Sequence, residues 1–141
     1  MKGGSDMTNR EIEDFAIDHV LRLECAAERE PQDARKQQAP VDVISPPRLI
    51  EVKAVGGSAR GQPIPLEQHQ VNALHANPGS FFLYVVENVT LALAGVAQPQ
   101  VLVLDGPAVE AMVERTQPTM TYWPTLRTGD YDKAPRLGMP I

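Results

Sequence analysis

Asp42, Glu51 and Lys53 are the side chains whose types and spacing could do chemistry together. They sit in the stretch VDVISPPRLIEVKA, from Val41 to Ala54. Its pattern predicts two short β-strands, with Ser45-Pro46-Pro47 supplying the turn between them. Side chains alternate along a strand, so Glu51 and Lys53 share one face while Ile50, Val52 and Ala54 share the other. The second set is apolar and can pack on a core. The first puts a carboxylate beside an ammonium, and Asp42 can join them across the hairpin. Two carboxylates about 4 Å apart repel by roughly 4 kcal/mol at an effective dielectric near 20. A divalent cation held between them turns that repulsion into a ligand set. The bland alternative is a surface salt-bridge cluster, which adds little to stability.

A hairpin of this kind needs flanking elements to hold it. Thr8-Asn9-Arg10-Glu11 is a capping box, with Thr8 at the N-cap and Glu11 at N3. The helix it starts carries Ile12, Phe15, Ala16, His19, Val20 and Leu23 at helical spacing and is expected to run to about Glu28. Glu13 and Glu24 lie at the edges of that stripe, and either could reach towards a neighbouring sheet. Pro31 to Pro40 is polar and reads as a loop. After the hairpin, Gly56 to Gly61 reads as a flexible loop. It lacks the ending and spacing of a P-loop, but Arg60 could contact a phosphate. Leu66 to Ala76 reads as a short helix with Leu66, Val71, Leu74 and His75 inward.

Phe81 to Val86 is continuously apolar, as expected of a central strand buried on both faces. Val89 to Val96 fits a strand or a short helix. Val101 to Leu104 reads as a strand and Ala108 to about Arg115 as a helix. From Thr116 the chain is rich in proline and is expected to wrap the same domain, anchored by Tyr122, Trp123 and Tyr131. The expected order is α-β-β-α-β-β-α, an α/β fold with a mixed central β-sheet flanked by helices.

The 141 residues argue for one core. Residues 1–7 read as a flexible leader, 8–116 as the domain and 117–141 as its tail. No apolar run approaches the roughly 18 residues of a membrane span. Residues 1–14 are polar and lack the apolar run of a signal peptide. The single cysteine, Cys25, excludes an internal disulfide and a thiolate-rich zinc site. A reducing cytoplasm fits. His19, His69 and His75 do not share a face, so no histidine metal site is expected.

The formal net charge of −5 argues against unaided nucleic-acid binding. Residues 31–60 are the exception, with five basic side chains (Arg35, Lys36, Arg48, Lys53, Arg60) against three acidic ones. Screening over about 8 Å leaves that block free to meet a phosphate. Few counterions would be released, so binding would be weak.

The spacing D-x(n)-E-x-K, carried by Asp42, Glu51 and Lys53, resembles the PD-(D/E)xK nuclease superfamily, with its restriction-endonuclease-like fold. The leading helix, the IEVKA strand, the PIPLEQHQVNAL helix and the FFLYVVENV strand are similar to the nuclease-like domain at the C-terminus of NO VEIN-type proteins. The likeness covers about residues 10–115. It implies a Mg²⁺-dependent DNA endonuclease, with Mn²⁺ as a substitute ion, in defence or mobile-element biology. It further implies Asp42, Glu51 and the Val52 carbonyl as ion ligands, and Lys53 as the group that orients or deprotonates the attacking water. Glu13 would be the helix acid that holds a water of the ion, and Gln70 the polar residue projecting from the next helix. Arg48 and Arg60 would contact nucleic acid. Such domains often sit beside modules that find DNA, so a DNA-targeting partner or a homodimer is expected. The alternative is a catalytically silent module of this fold that binds protein or nucleic acid.

Overall fold

The computed structural model describes residues 8–138. The expected leader, residues 1–7, lies outside them. Ten elements run in order: α1 (Asn9–Ala26), β1 (Gln32–Asp33), β2 (Val43–Ser45), β3 (Arg48–Ala54), α2 (Gln68–Ala76), β4 (Phe81–Glu87), α3 (Val89–Leu93), β5 (Gln100–Asp105), α4 (Gly106–Glu114) and α5 (Thr128–Lys133). The strands form one open mixed sheet in the order β1-β2-β3-β4-β5. Only β3 and β4 run parallel, and α2 connects them. The other neighbours are antiparallel.

The expected hairpin forms, with Val43 opposite Ile50 and Ser45 opposite Arg48. Alternation along β3 and β4 divides the core in two. Ile50, Val52, Tyr84 and Val86 face α1 and α3, where Ala16, Ile17 and Val20 of α1 and Val89 of α3 close over them. Phe81, Leu83 and Val85 face the other way, against Ala73 and Leu74 of α2 and Val109 of α4. β4 is therefore buried on both faces, as its unbroken apolar run requires.

Thr8 caps α1 as expected, its Oγ1 accepting from the Glu11 N–H at 3.1 Å. The buried face of α1 is rotated from the expected stripe. Ala16, Ile17, Val20 and Glu24 are buried, while Leu23 is exposed. α2 likewise turns Gln70, Ala73 and Leu74 inward and leaves His75 exposed, where it meets Glu110 at 3.0 Å.

Two expectations are corrected and one open alternative is decided. The loop from Pro31 to Pro40 contains β1, whose two residues pair with Val43 and Ile44. The ambiguous stretch after β4 is a helix, begun by Asn88 in a left-handed conformation at φ 61°. The tail is not anchored by its aromatics. Residues 116–138 are exposed throughout, with Trp123 89% and Tyr122 80% accessible. α1, α2 and α4 already cover both faces of the sheet around β3 and β4, and the rings pack on neither cluster.

Candidate active site

β3 extends beyond β2. The last pair between them is Val43 with Ile50, so Glu51 to Ala54 project past the hairpin's paired end. Asp42 stands at that end, one residue before β2 begins. Its Oδ2 accepts from the Val52 N–H at 3.0 Å, which ties the first acid of the motif to the strand carrying the second. N–H and C=O of one strand residue point to the same neighbour. The Val52 carbonyl therefore faces the end of β2, beside Asp42.

Glu51 and Lys53 point away from α1, as strand alternation dictates, and meet α2. The capping box of α2 fixes what they meet. Gln70 sits at N3, and its Oε1 accepts from the Glu67 N–H at 2.9 Å. The same oxygen accepts from Lys53 Nζ at 3.2 Å. Its Nε2 donates to Glu51 Oε2 at 2.6 Å. Lys53 Nζ lies 3.6 Å from that Glu51 oxygen. The Gln70 amide is thus held at both ends and can orient Glu51 in only one way.

Glu51 is 3% exposed. Burial, and then the neighbouring Asp42 carboxylate, push its pKa up to about 8 against the opposing pull of Lys53. Both its burial and its neighbour thus hold the Glu51 carboxyl against ionising. Two adjoining cavities of about 270 and about 470 Å³ share Glu13, Asp42, Glu51, His69 and Gln70 in their walls. Val52 and Lys53 line the larger one. All five expected catalytic side chains thus border one cleft, beside the part of β3 that extends past β2.

They do not all border it in the same way. Glu13 is more than half exposed and meets Arg35 Nη1 at 3.2 Å. Glu24, the other acid near the edge of the α1 stripe, lies outside the cleft. It is 2% exposed and bonded to Arg29 Nε and Nη2 at 2.6 and 2.9 Å and to the Tyr84 hydroxyl at 2.9 Å. Burial raises its pKa, but the bonds from Arg29 and Tyr84 outweigh that and hold it below the usual carboxylate range.

The two expected nucleic-acid contacts line neither cavity. Arg48 sits at the far end of β3, four residues or roughly 13 Å from Val52. It donates to the Tyr84 hydroxyl at 2.7 Å and stacks over Phe82 at 4.1 Å. Its guanidinium is thus held against the rings of β4. Arg60 is exposed on a loop that is pinned rather than free. Ala59 N–H donates to Glu87 Oε2 at 2.7 Å, and Asn88 N–H to the Gly57 carbonyl at 2.9 Å.

Sequence reasoning missed Arg35 and His69, which both line the smaller cavity. Arg35 binds Asp33, Asp14 and Glu13 at once, joining β1 to α1. A lone arginine in a polar stretch gave no sign of that. Among the described residues, no group of three or more His, Cys, Asp and Glu side chains is placed to hold a metal.

A family model described as Protein NO VEIN, C-terminal, matches residues 12–101. That span is well over half of the 141 residues and contains Glu13, Asp42, Glu51, Lys53 and Gln70. No curated protein and no solved structure matches the chain.

Proposed function

The chain belongs to the family of NO VEIN C-terminal domains, and on that footing we propose that its cleft is a PD-(D/E)xK nuclease site that hydrolyses DNA phosphodiester bonds with Mg²⁺ or Mn²⁺. The observation that carries this reading is the Asp42–Glu51 pair. One acid is buried and pushed to about 8, and the other lies close enough to help push it there. A divalent cation relieves both the burial and the repulsion. The donor set suits Mg²⁺, a hard ion that takes one or two carboxylates and fills its remaining positions with water and phosphate oxygens. Asp42, Glu51 and the Val52 carbonyl would hold it. When bound, such an ion stabilises charge on a phosphate and acidifies water.

The chain's own residues supply the rest. Gln70 fixes the Glu51 carboxylate through Nε2 and the Lys53 ammonium through Oε1. Lys53 is thereby aimed into the cleft beside the acids, where it can orient an attacking water and offset phosphate charge. Glu13 borders the same space, tethered to Arg35. Restriction-endonuclease-like topology is part of this proposal, with β2 and β3 as its hairpin.

A second reading has its own support. Arg35 and Arg48, two members of the one basic block, are engaged inside the molecule. That leaves little free positive charge for a backbone and favours a catalytically silent module, or an enzyme delivered to DNA by a partner. Lys53→Ala separates these readings. In a nuclease it cuts the cleavage rate by on the order of 10² or more with little change in affinity. In a binding module it weakens DNA affinity slightly and lowers the salt slope by about one unit. Lys53→Arg should not rescue the rate, because a planar fork replaces a compact ammonium. The measurement is cleavage and binding by the same proteins, on several DNA and RNA forms, with Mg²⁺, Mn²⁺ or EDTA. Wild-type protein that binds DNA and never cuts it would leave the module.

A further inference from the structure

The two edges of the sheet are built differently. β1 is two polar residues long, comes directly after Pro31, and has Asp33 tied up by Arg35. Short, charged edges of this kind resist pairing with another chain. β5 is six residues, QVLVLD, with no lysine, arginine or proline and its one charge at the end. Leu102 is 43% and Val103 53% exposed. These two point to opposite faces, because Leu102 pairs with Val85 and Val103 with Tyr84. The outer edge of β5 is therefore apolar above and below its own backbone donors and acceptors. Leu91 and Leu93 of α3 are exposed as well.

We propose that two copies of this chain pair antiparallel along β5 and join their five-stranded sheets into one continuous sheet. The strand is self-complementary in the way a twofold axis demands. Across such an axis, perpendicular to the sheet, residues of the same face oppose each other. Leu102 then meets its own copy and Val101 meets Val103. Asp105 falls opposite Pro99, so no like charges oppose one another, which in a chain of net charge −5 matters.

The exposed tail is the weaker occupant for this edge. Pro118, Pro124 and Pro135 interrupt its backbone donors, and Thr128–Lys133 between the last two is already helical. The cleft lies at the other side of β3, so pairing leaves it open. Both clefts then open on the same face of the joined sheet, with β3 and its copy five strand spacings, or roughly 24 Å, apart.

Sedimentation velocity over a dilution series of the full chain is the test, with amide exchange at high and low concentration. A dimer that dissociates on dilution is expected, with added protection at the outward half of the β5 amides in the concentrated sample. Leu102→Lys with Val103→Lys should be monomeric at every concentration, with a melting temperature that no longer depends on concentration and lies near that of the dilute, dissociated wild type. A chain ending at Thr116 should still dimerise. The proposal is overturned by a wild-type monomer throughout, by a dimer without extra β5 protection, by one that survives both lysines, or by one that the truncation abolishes. The last outcome would assign the edge to the tail of a second copy.

Discussion

The Glu51 carboxyl is pulled two ways. Burial and Asp42 favour its protonated form, and Lys53 favours the anion. With its pKa raised to about 8, the folded chain keeps a proton that the unfolded chain has released well below that pH. The stability this group contributes is thus fully present below the ordinary carboxyl pKa and is lost as pH rises through about 8. The metal-free melting temperature should fall between about pH 5 and about pH 9. Glu51→Gln, neutral at every pH, should flatten that part of the profile. Mg²⁺ should recover stability at the alkaline end, since the unfolded chain has no matching site. The same shift in Glu51→Gln would mean that the ion binds elsewhere. Asp42, Glu51 and Lys53 were legible in the sequence because one strand and one turn bring them together. Arg35 was not, because its three carboxylate partners come from α1 and β1, over twenty residues apart in the case of Glu13.

At the scale of elements, local periodicity carried the reading as far as local contacts carry the structure. The capping box fixed the start of α1, and the unbroken run FFLYVV fixed β4 as central. β1 escaped because two polar residues have no pattern of their own, and only their pairing with Val43 and Ile44 makes them a strand. Glu24 was legible as an acid able to reach a sheet, but its full burial was not. It lies one turn beyond Val20 on the buried face, and an acid is tolerable there only because Arg29 and Tyr84 reach it. That network pins the end of α1 to β4, and through Arg48 to the start of β3. Glu24→Ala should cost about 3–5 kcal/mol in urea unfolding, since it leaves a guanidinium and a buried hydroxyl without their partner. Tyr84→Phe keeps the ring packed and the Arg29 pair intact, so about 1–3 kcal/mol is expected. Equal costs would mean that the tyrosine, not the acid, is the hub. Because the Glu24 pKa is lowered, its contribution is present above the ordinary carboxyl pKa and lost as pH falls through the depressed one. Its pH window lies on the acid side, apart from that of Glu51, and the two can be read in one titration.

The whole molecule concentrates its packed order in residues 9–114, and residues 115–138 hold little of it. The tail was expected to pack because Tyr122, Trp123 and Tyr131 are costly to leave in water. Composition shows that a segment has apolar groups to bury, but not whether a groove exists to receive them. Here helices cover the two faces of the sheet around β3 and β4, and the rings stay in solvent. Trp123 is the single tryptophan, so its fluorescence reports on the tail alone. Its emission should be that of a hydrated indole in the folded protein, and acrylamide should quench it as readily before urea unfolding as after. Far-ultraviolet circular dichroism should track the unfolding that fluorescence does not see. Ending the chain at Thr116 should move the melting temperature by less than about 3 °C, within the range of changes that remove no buried contact. A blue-shifted emission that moves red with unfolding, joined to a large loss of stability on truncation, would mean that the tail is part of the core in solution.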